Sequence, residues 1–410
     1  MTPSARRNAL VVGAGPVGMS CALALHARGV EVTVLEAETV DEIRPGSRAI
    51  YVHRASLELL DRTCAGLGRS IAEQGVVWPA KRTFWRGREV FARSYPPSPG
   101  DRLPPFASLP QTVVERELAL ACAAAGIELA RGARVETVAV SAESVEVTAT
   151  GGGSWSADYV VGADGARSAV RGAIGVPLDG SRSENAFVVV DVAEDPDRPT
   201  PQARIFHYQH PAVGGRNVLL VPFAGGWRAD LQCRTDDDPD RFASAAGARD
   251  WVGLVLGERY AERIAWISTY RFLQVVARRF VDENRRVLLI GDAAHLFAPF
   301  GARGMNSGIA DASDAASAIA DALATGEGDR DPARALVDEF AAARHAAALR
   351  NRKAAGLALA AMQSRSPRMW VKRRAAAALA PHSERAGRWL DAAPYGPRLS
   401  HGRGRKRAGY

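Results

Sequence analysis

Three glycines near the start of the chain, Gly13, Gly15 and Gly18, stand at the spacing of a phosphate-binding turn, with Pro16 between the second and third. They follow an apolar run from Leu10 and lead into a helical stretch from Met19 to Ala27. In that arrangement Gly13 permits the tight turn, Gly15 lets backbone N–H groups approach a pyrophosphate, and Gly18 lets the helix pack closely. The helix N-terminus favours the phosphate charge. Gly29 closes the helix, Glu31 to Leu35 forms a second short strand, and Glu36 at its end can accept hydrogen bonds from an adenosine ribose. A three-glycine turn alone also serves ligand-free connections; strand, helix, second strand and acid together predict a dinucleotide-binding unit. Glu36 disfavours a ribose phosphate at its position and leaves the choice between FAD and NAD open.

Two further acids follow apolar strands. Asp164 comes directly after Tyr159-Val160-Val161-Gly162-Ala163 and before Gly165, where a carboxylate and open backbone groups can meet a ligand. Arg167 and Arg171 lie one helical turn apart and can face the same side, either toward a ligand or as a surface pair on a capped turn. Asp292 repeats the pattern after Arg286 to Ile290, within Gly291-Asp292-Ala293-Ala294-His295. Pro299, Gly301, Gly304 and Gly308 keep the next connection turn-rich, and an Ala-rich helix begins around Asn306. His295 reads as a packed loop histidine, not a base. Asp236-Asp237-Asp238 reads as an exposed turn, and no set of coordinating partners predicts a metal.

The elements that must position these residues are legible in outline. Trp78 to Phe106, rich in aromatics, arginine and proline, reads as an elaborated loop or hairpin, and Gln111 begins a helix through Leu118 and Cys122. Val135 to Val140 and Val145 to Thr148 are short strands. Between Ala186 and Val276 five candidate strands, Phe187 to Val190, Arg204 to Tyr208, Val218 to Val221, Trp227 to Cys233 and Trp266 to Phe272, can build a broad antiparallel sheet with one face over an organic substrate. Ala312 to Leu323, Ala333 to Leu359 and Trp370 to Leu379 are helix-prone.

Bulk properties narrow the function classes. The chain has 410 residues, 47% hydrophobic and 24% charged, which excludes global disorder. Cys21, Cys64, Cys122 and Cys233 show neither metal spacing nor a disulfide framework, and no signal-peptide pattern or long apolar run is present, so a cytoplasmic protein without an integral membrane partner is expected. The net charge of +8 invites a nucleic-acid reading, but from Arg368 onward eleven basic residues face only Glu384 and Asp391, which accounts for the whole excess. A solvated basic extension explains it, and no nucleic-acid partner is expected.

Taken in order and separation, Gly13-Ala14-Gly15-Pro16-Val17-Gly18, Gly162-Ala163-Asp164-Gly165-Ala166-Arg167-Ser168 and Gly291-Asp292-Ala293-Ala294-His295 resemble the single-component aromatic hydroxylases related to para-hydroxybenzoate and phenol hydroxylase. The resemblance covers nearly all of residues 8 to 350. It implies an α/β fold: a Rossmann-like FAD-binding domain (1–175 and 281–350), an inserted, predominantly substrate-binding sheet (176–280), and C-terminal packing helices with a basic tail (351–410). FAD would be held by Gly13, Gly15, Pro16 and Gly18 at the pyrophosphate, Glu36 at the ribose, Arg48 near the phosphates, and Gln111 and Asp292 at the ribityl chain. Asp164 would face a groove also implicated in nicotinamide use, and Gly304, Met305 and Asn306 would bring N–H groups to the flavin, with Pro299 shaping the pocket.

The implied activity uses NADPH or NADH to reduce FAD; a flavin C4a-hydroperoxide formed with molecular oxygen then hydroxylates a small phenolic or other electron-rich aromatic substrate. His207 or Tyr208 would polarise a phenol, Arg216 or Arg234 would receive a carboxylate, and Phe223, Tyr270 and Gln274 are further contact candidates. Oxidation, epoxidation, halogenation and a non-enzymatic FAD-binding regulator are the alternatives. The residues after Gly326 leave too little sequence for the thioredoxin-like domain of larger phenol hydroxylases, and the oligomeric state stays open.

Overall fold

The computed structural model describes residues 7–39, 49–95, 102–182, 186–325, 330–363 and 366–396, which form a mixed α/β structure. Its foundation is a five-stranded sheet in the spatial order Val287–Leu289, Tyr159–Gly162, Asn8–Val12, Glu31–Glu36, Glu128–Arg131. All its strand pairs are parallel. Val11, Val34, Val160, Val161 and Leu288 are fully buried, the near-continuous apolar pattern of a parallel sheet enclosed on both faces. The first helix, Pro16–His26, is buried at nearly every position because it packs against this sheet, against Gln111–Ala124 and against the long helix Arg303–Ala324.

A second, seven-stranded sheet runs Ile264–Tyr270, Phe187–Ala193, Gly226–Gln232, Arg216–Phe223, Ala203–His210, Ala80–Trp85, Arg88–Ser94. The aromatic-rich stretch after Trp78 thus contributes a hairpin, turning at Arg86 and Gly87 with φ of 52° and 83°. It joins Ala203–His210 in parallel. The sheet therefore draws on residues well before position 176.

Strand alternation gives this sheet two different faces. One carries Val188, Val190, Val218, Leu220, Trp227, Ala229 and Leu231 and packs on Trp251 and Val252 of the helix Ala245–Leu256. Sequence periodicity did not reveal that helix, although Ser244 caps it by accepting from Gly247 N. The other face carries Phe206 and Tyr208 against Ala298 and Phe300, and beneath Ala355, Ala358, Leu359, Met362 and Leu390 of the C-terminal helices Arg330–Gln363 and Glu384–Ala392. All four cysteines are free. Among the described residues no helix is long and apolar enough to cross a membrane.

Candidate active site

The three motifs follow three adjacent strands of the parallel sheet, Asn8–Val12, Tyr159–Gly162 and Val287–Leu289. They share the crevice outside the carboxyl ends of the strands, where open α/β sheets receive ligands. The first two motifs touch: Gly13 has φ +105°, and a Cβ there would lie 2.5 Å from Ala163 O. A Cβ on Gly18 would lie 1.9 Å from Gly13 O, so neither position admits a side chain. Pro16 opens the first helix after Gly15, and no side chain caps it, which leaves first-turn N–H groups for a ligand. Glu36, only 4% exposed, accepts from Ala14 N at 2.7 Å and Glu38 N at 3.0 Å, holding its carboxylate beside that turn.

The third motif joins through Val17. A Cβ on Gly291 would come within 3.0 Å of Val17, and one on Gly308 within 2.4 Å. Asp292 is exposed, and a Cβ on Gly304 would sit 3.9 Å from its Oδ1. The helix Arg303–Ala324 starts from Ala302 in the left-handed region (φ 52°), again without a side-chain cap. Gly304 and Met305 fall in its first turn, where N–H groups have no intrahelical acceptor. The Asn306 side chain anchors this helix start: Oδ1 accepts from His53 N at 2.9 Å and Ser56 Oγ at 2.7 Å, and Nδ2 donates to Tyr51 O at 2.8 Å.

Beneath the motif lies a buried polar network. Asp311 Oδ2 meets His295 Nε2 at 2.6 Å and accepts from Gly291 N at 3.1 Å, while its Oδ1 accepts from Arg344 Nε at 2.6 Å. Burial opposes ionisation of Asp311, but His295 and Arg344 outweigh it and hold the carboxyl below its ordinary range. His295 therefore positions backbone, as its reading as a packed histidine anticipates.

Next to Phe300, which follows the exposed Pro299, a narrow gap of about 10 Å3 lies against the inserted sheet. Phe187, Phe206, Asn217, Leu219, Asp230, Gln232 and Met362 form the rest of its wall. Phe300 contacts Phe187 and Phe272, with ring centroids 5.4 and 5.6 Å apart. Asn217 Nδ2 donates to Gln232 Oε1 at 2.8 Å and Met362 O at 3.1 Å. Asp230 Oδ1 is closed to solvent and has no hydrogen-bond partner.

A model of the FAD-binding domain family matches residues 6–355. The chain belongs to this FAD-binding family. Among curated proteins it is 29% identical over 87% of its length to a 3-(3-hydroxy-phenyl)propionate/3-hydroxycinnamic acid hydroxylase of Mycolicibacterium gilvum, of which it covers 63%. It is 30% identical over 82% of its length to 6-methylpretetramide 4-monooxygenase of Streptomyces rimosus, of which it covers 58%. The chain thus spans about three fifths of these relatives. The crystal structure of p-nitrophenol 4-monooxygenase from Pseudomonas putida superposes with a TM-score of 0.74 at 24% identity, covering 96% of this chain and 99% of that one, which establishes the shared fold.

The crevice fits FAD: a glycine cradle that excludes side chains, two uncapped helix N-termini and two carboxylates at strand ends converge there. Arg48 lies outside the described residues. Gln111 starts its helix with Nε2 donating to Glu115 Oε1 at 2.8 Å. Asp164 also has a partner within its own loop. Its Oδ1 accepts from Ser168 Oγ at 2.5 Å and its Oδ2 from Val170 N at 3.1 Å, capping the short helix that follows. Arg171 links the second and third motifs by donating to Ala166 O and Ala293 O, both at 2.9 Å.

On the substrate side several expectations change. His207 sits on the sheet face opposite the gap, 4.6 Å from the Phe84 ring, and burial, with His210 and Arg82 nearby, pushes its pKa down to about 3. Tyr208 shares the gap's face but is fully buried, its hydroxyl donating to Leu390 O at 2.8 Å. Arg216 is paired with Asp237 and Arg234 donates to Gly214 O, both at the far end of the hairpin. Gln274 belongs to a separate three-stranded sheet against the helix Arg330–Gln363. Tyr270 is half-buried beside Phe272, at 6.2 Å, and Phe223 ends its strand where Ser108 Oγ donates to Pro222 O. The sequence reading did not place Asp230, Gln232, Asn217 and Phe300 together on one wall. The signal was present in the alternation of Trp227, Ala229 and Leu231 with Arg228, Asp230 and Gln232.

Proposed function

We propose that this protein is an NADPH- or NADH-dependent FAD monooxygenase that hydroxylates a small phenolic or other electron-rich aromatic substrate. The observation that carries the reading is the crevice at the carboxyl ends of three adjacent parallel strands, where the Gly13 to Gly18 turn meets the second motif and the Gly291 motif packs on Val17. The hydroxylase and monooxygenase names of the relatives support it. When bound, FAD supplies the redox chemistry, accepting reducing equivalents from the nicotinamide and passing them to molecular oxygen.

The chain's own residues hold and enclose the reactants. Backbone N–H groups beside Gly13, Gly15, Pro16 and Gly18 receive the pyrophosphate, Glu36 the adenosine ribose, and Asp292 and Gln111 the ribityl chain. Gly304 and Met305, at an uncapped helix N-terminus, stabilise negative charge on the reduced cofactor, and Asn306 fixes that helix start. Pro299 and Phe300 exclude water at the reacting edge. Asp164 and Tyr208 act as scaffold. The unpaired cysteines and the absence of a membrane-spanning helix among the described residues support a cytoplasmic setting.

The test is product formation under isotopically labelled dioxygen, with FAD-loaded protein, each nicotinamide nucleotide separately, and a broad panel of phenols, aromatic acids and polyketide-like phenols. Labelled product with little peroxide is expected. Unlabelled product, or nucleotide oxidation yielding only peroxide across the panel, overturns the reading.

A further inference from the structure

The geometry points to a docking face for an anionic phospholipid surface on the paired C-terminal helices Arg330–Gln363 and Pro367–Leu379. The contact is peripheral, since no helix among the described residues is long and apolar enough to cross a membrane. It is independent of the monooxygenase reading.

From Phe340 to Ser383 the chain has nine arginines and lysines and no aspartate or glutamate. Of the nine large apolar side chains exposed among the described residues, five fall in the same stretch: Leu349, Leu357, Trp370, Val371 and Leu379. Exposed apolar groups and uncompensated cations thus concentrate on one pair of helices.

Helical spacing sorts them. Leu349, Lys353, Leu357 and Ala360, all exposed, recur along one face of the first helix. On the second, Val371, Ala375 and Leu379 form an exposed stripe with Trp370 and Arg374 beside it. The two helices meet at a groove of about 320 Å3, where Ala360 and Met369 supply apolar wall and Arg368 and Lys372, one turn apart, supply cations. Arg373 fastens the pair from inside, donating to Met362 O at 2.9 Å and Ala361 O at 3.3 Å. The face is therefore in place before anything binds.

The cations on it are available. Among the described residues Arg350, Lys353 and Arg368 have no acidic partner. Lys372 and Arg374 rest on indole rings instead of carboxylates, 4.5 Å from Trp389 and 4.6 Å from Trp370. Charge then selects the occupant. A second copy docking through the same face would bring like charges together, and residues 397–410 add five basic residues and no acid. Neither neutralises the face. Nucleic acid would satisfy the cations but leave Leu357, Val371 and Leu379 in water. An anionic bilayer presents phosphates above hydrocarbon and meets both: the cations at the headgroups, Trp370 and Val371 at the acyl boundary.

The test is co-sedimentation of the FAD-loaded full chain with vesicles of equal parts phosphatidylglycerol and phosphatidylcholine, against vesicles of phosphatidylcholine alone. Binding about tenfold tighter to the anionic vesicles is expected, with most of that advantage lost between about 0.05 and 0.5 M salt. Two double variants separate the components: Arg368→Glu with Lys372→Glu, and Trp370→Ala with Val371→Ala. Each is expected to bind the anionic vesicles about tenfold more weakly while keeping its FAD. Both leave residues 397–410 unchanged, so a loss locates the contact on the helices.

Equal binding to both kinds of vesicle, binding to neither, or wild-type affinity in either folded variant overturns the proposal. So does duplex DNA bound as tightly as the anionic vesicles, or a dimer in sedimentation equilibrium that both variants abolish. The lipid and salt comparisons on the wild-type protein decide the question even if a variant unfolds.

Discussion

The cofactor crevice and the gap beside it are built from different materials. In the crevice, contact is made by backbone: Gly13 and Gly18 approach carbonyl oxygens too closely for any side chain, Gly291 and Gly308 crowd Val17, and two helices begin without caps. Beside it, the gap next to Phe300 is walled by side chains on one face of a sheet, among them Asp230, Gln232 and Asn217. A backbone site fixes what is bound but tolerates almost no variation. A sheet face can exchange side chains without moving a strand, so this wall can vary while the backbone of the crevice stays constant.

Gly18→Val is the severest way to break this contrast. An added Cβ would lie 1.9 Å from Gly13 O, so the first helix must separate from the first strand. Loss of FAD retention and a destabilisation above about 4 kcal/mol are expected, measured as flavin-to-protein ratio and thermal midpoint. Retention of FAD by the variant would refute the backbone account of the crevice.

Asp311→Ala probes the support beneath the crevice. It leaves His295 and Arg344 without their shared carboxylate and frees Gly291 N, so a loss of about 3–5 kcal/mol is expected in denaturant melts, with weaker FAD retention. Because the Asp311 carboxyl is held below its ordinary range, the stability it contributes is present above the ordinary carboxylate pKa. It is lost as pH falls through the lowered value. The wild-type protein should therefore lose part of its advantage over the variant in acid.

Asp230→Asn should behave in the opposite sense. The folded carboxyl is raised to about 7 from its ordinary 3.8. Its contribution is complete below the ordinary value and is lost as pH rises through about 7. The variant is expected to gain on the order of 2 kcal/mol over the wild type at pH 8.5 and nothing near pH 3.5, read from melts at both pH values. Equal melts at both would mean that the surroundings of Asp230 do not raise its carboxyl.

The same contrast explains what could be seen in the sequence. Glycine spacing, Glu36 and Asp292 report backbone geometry locally, so the crevice was legible from one short motif at a time. Strand ranges such as Val135–Val140 were legible for the same reason. Which residues face the gap depends on register across strands far apart in the chain, where a shift of one residue exchanges the faces. His207 and Tyr208 are neighbours of equal chemical promise, yet one lies against Phe84 and His210 and the other in the core beneath Leu390. Ala80–Ser94 escaped assignment to the inserted sheet because its pairing with Ala203–His210 spans more than a hundred residues. A carboxylate at a strand end such as Asp164 can meet a ligand or cap a helix, and its cap to Ser168 Oγ and Val170 N depends on side-chain positions that the sequence does not carry.

Tyr208→Phe tests the boundary between the two regions with the smallest expected effect. The hydroxyl donates one hydrogen bond to Leu390 O inside a core that also holds Phe206 and Ala358. Burial pushes the phenol well above its ordinary pKa, with Arg373 and Arg204 only partly offsetting that. It therefore stays protonated at any pH at which the protein works and cannot accept a proton from a substrate. Removing the hydroxyl leaves one carbonyl unpaired, a loss of about 1 kcal/mol in denaturant melts. The fraction of reducing nucleotide that ends in hydroxylated product should not change. A fall in that fraction, with the melt unchanged, would mean that the hydroxyl reaches the substrate, and that the gap extends past Phe206 toward the helix Glu384–Ala392.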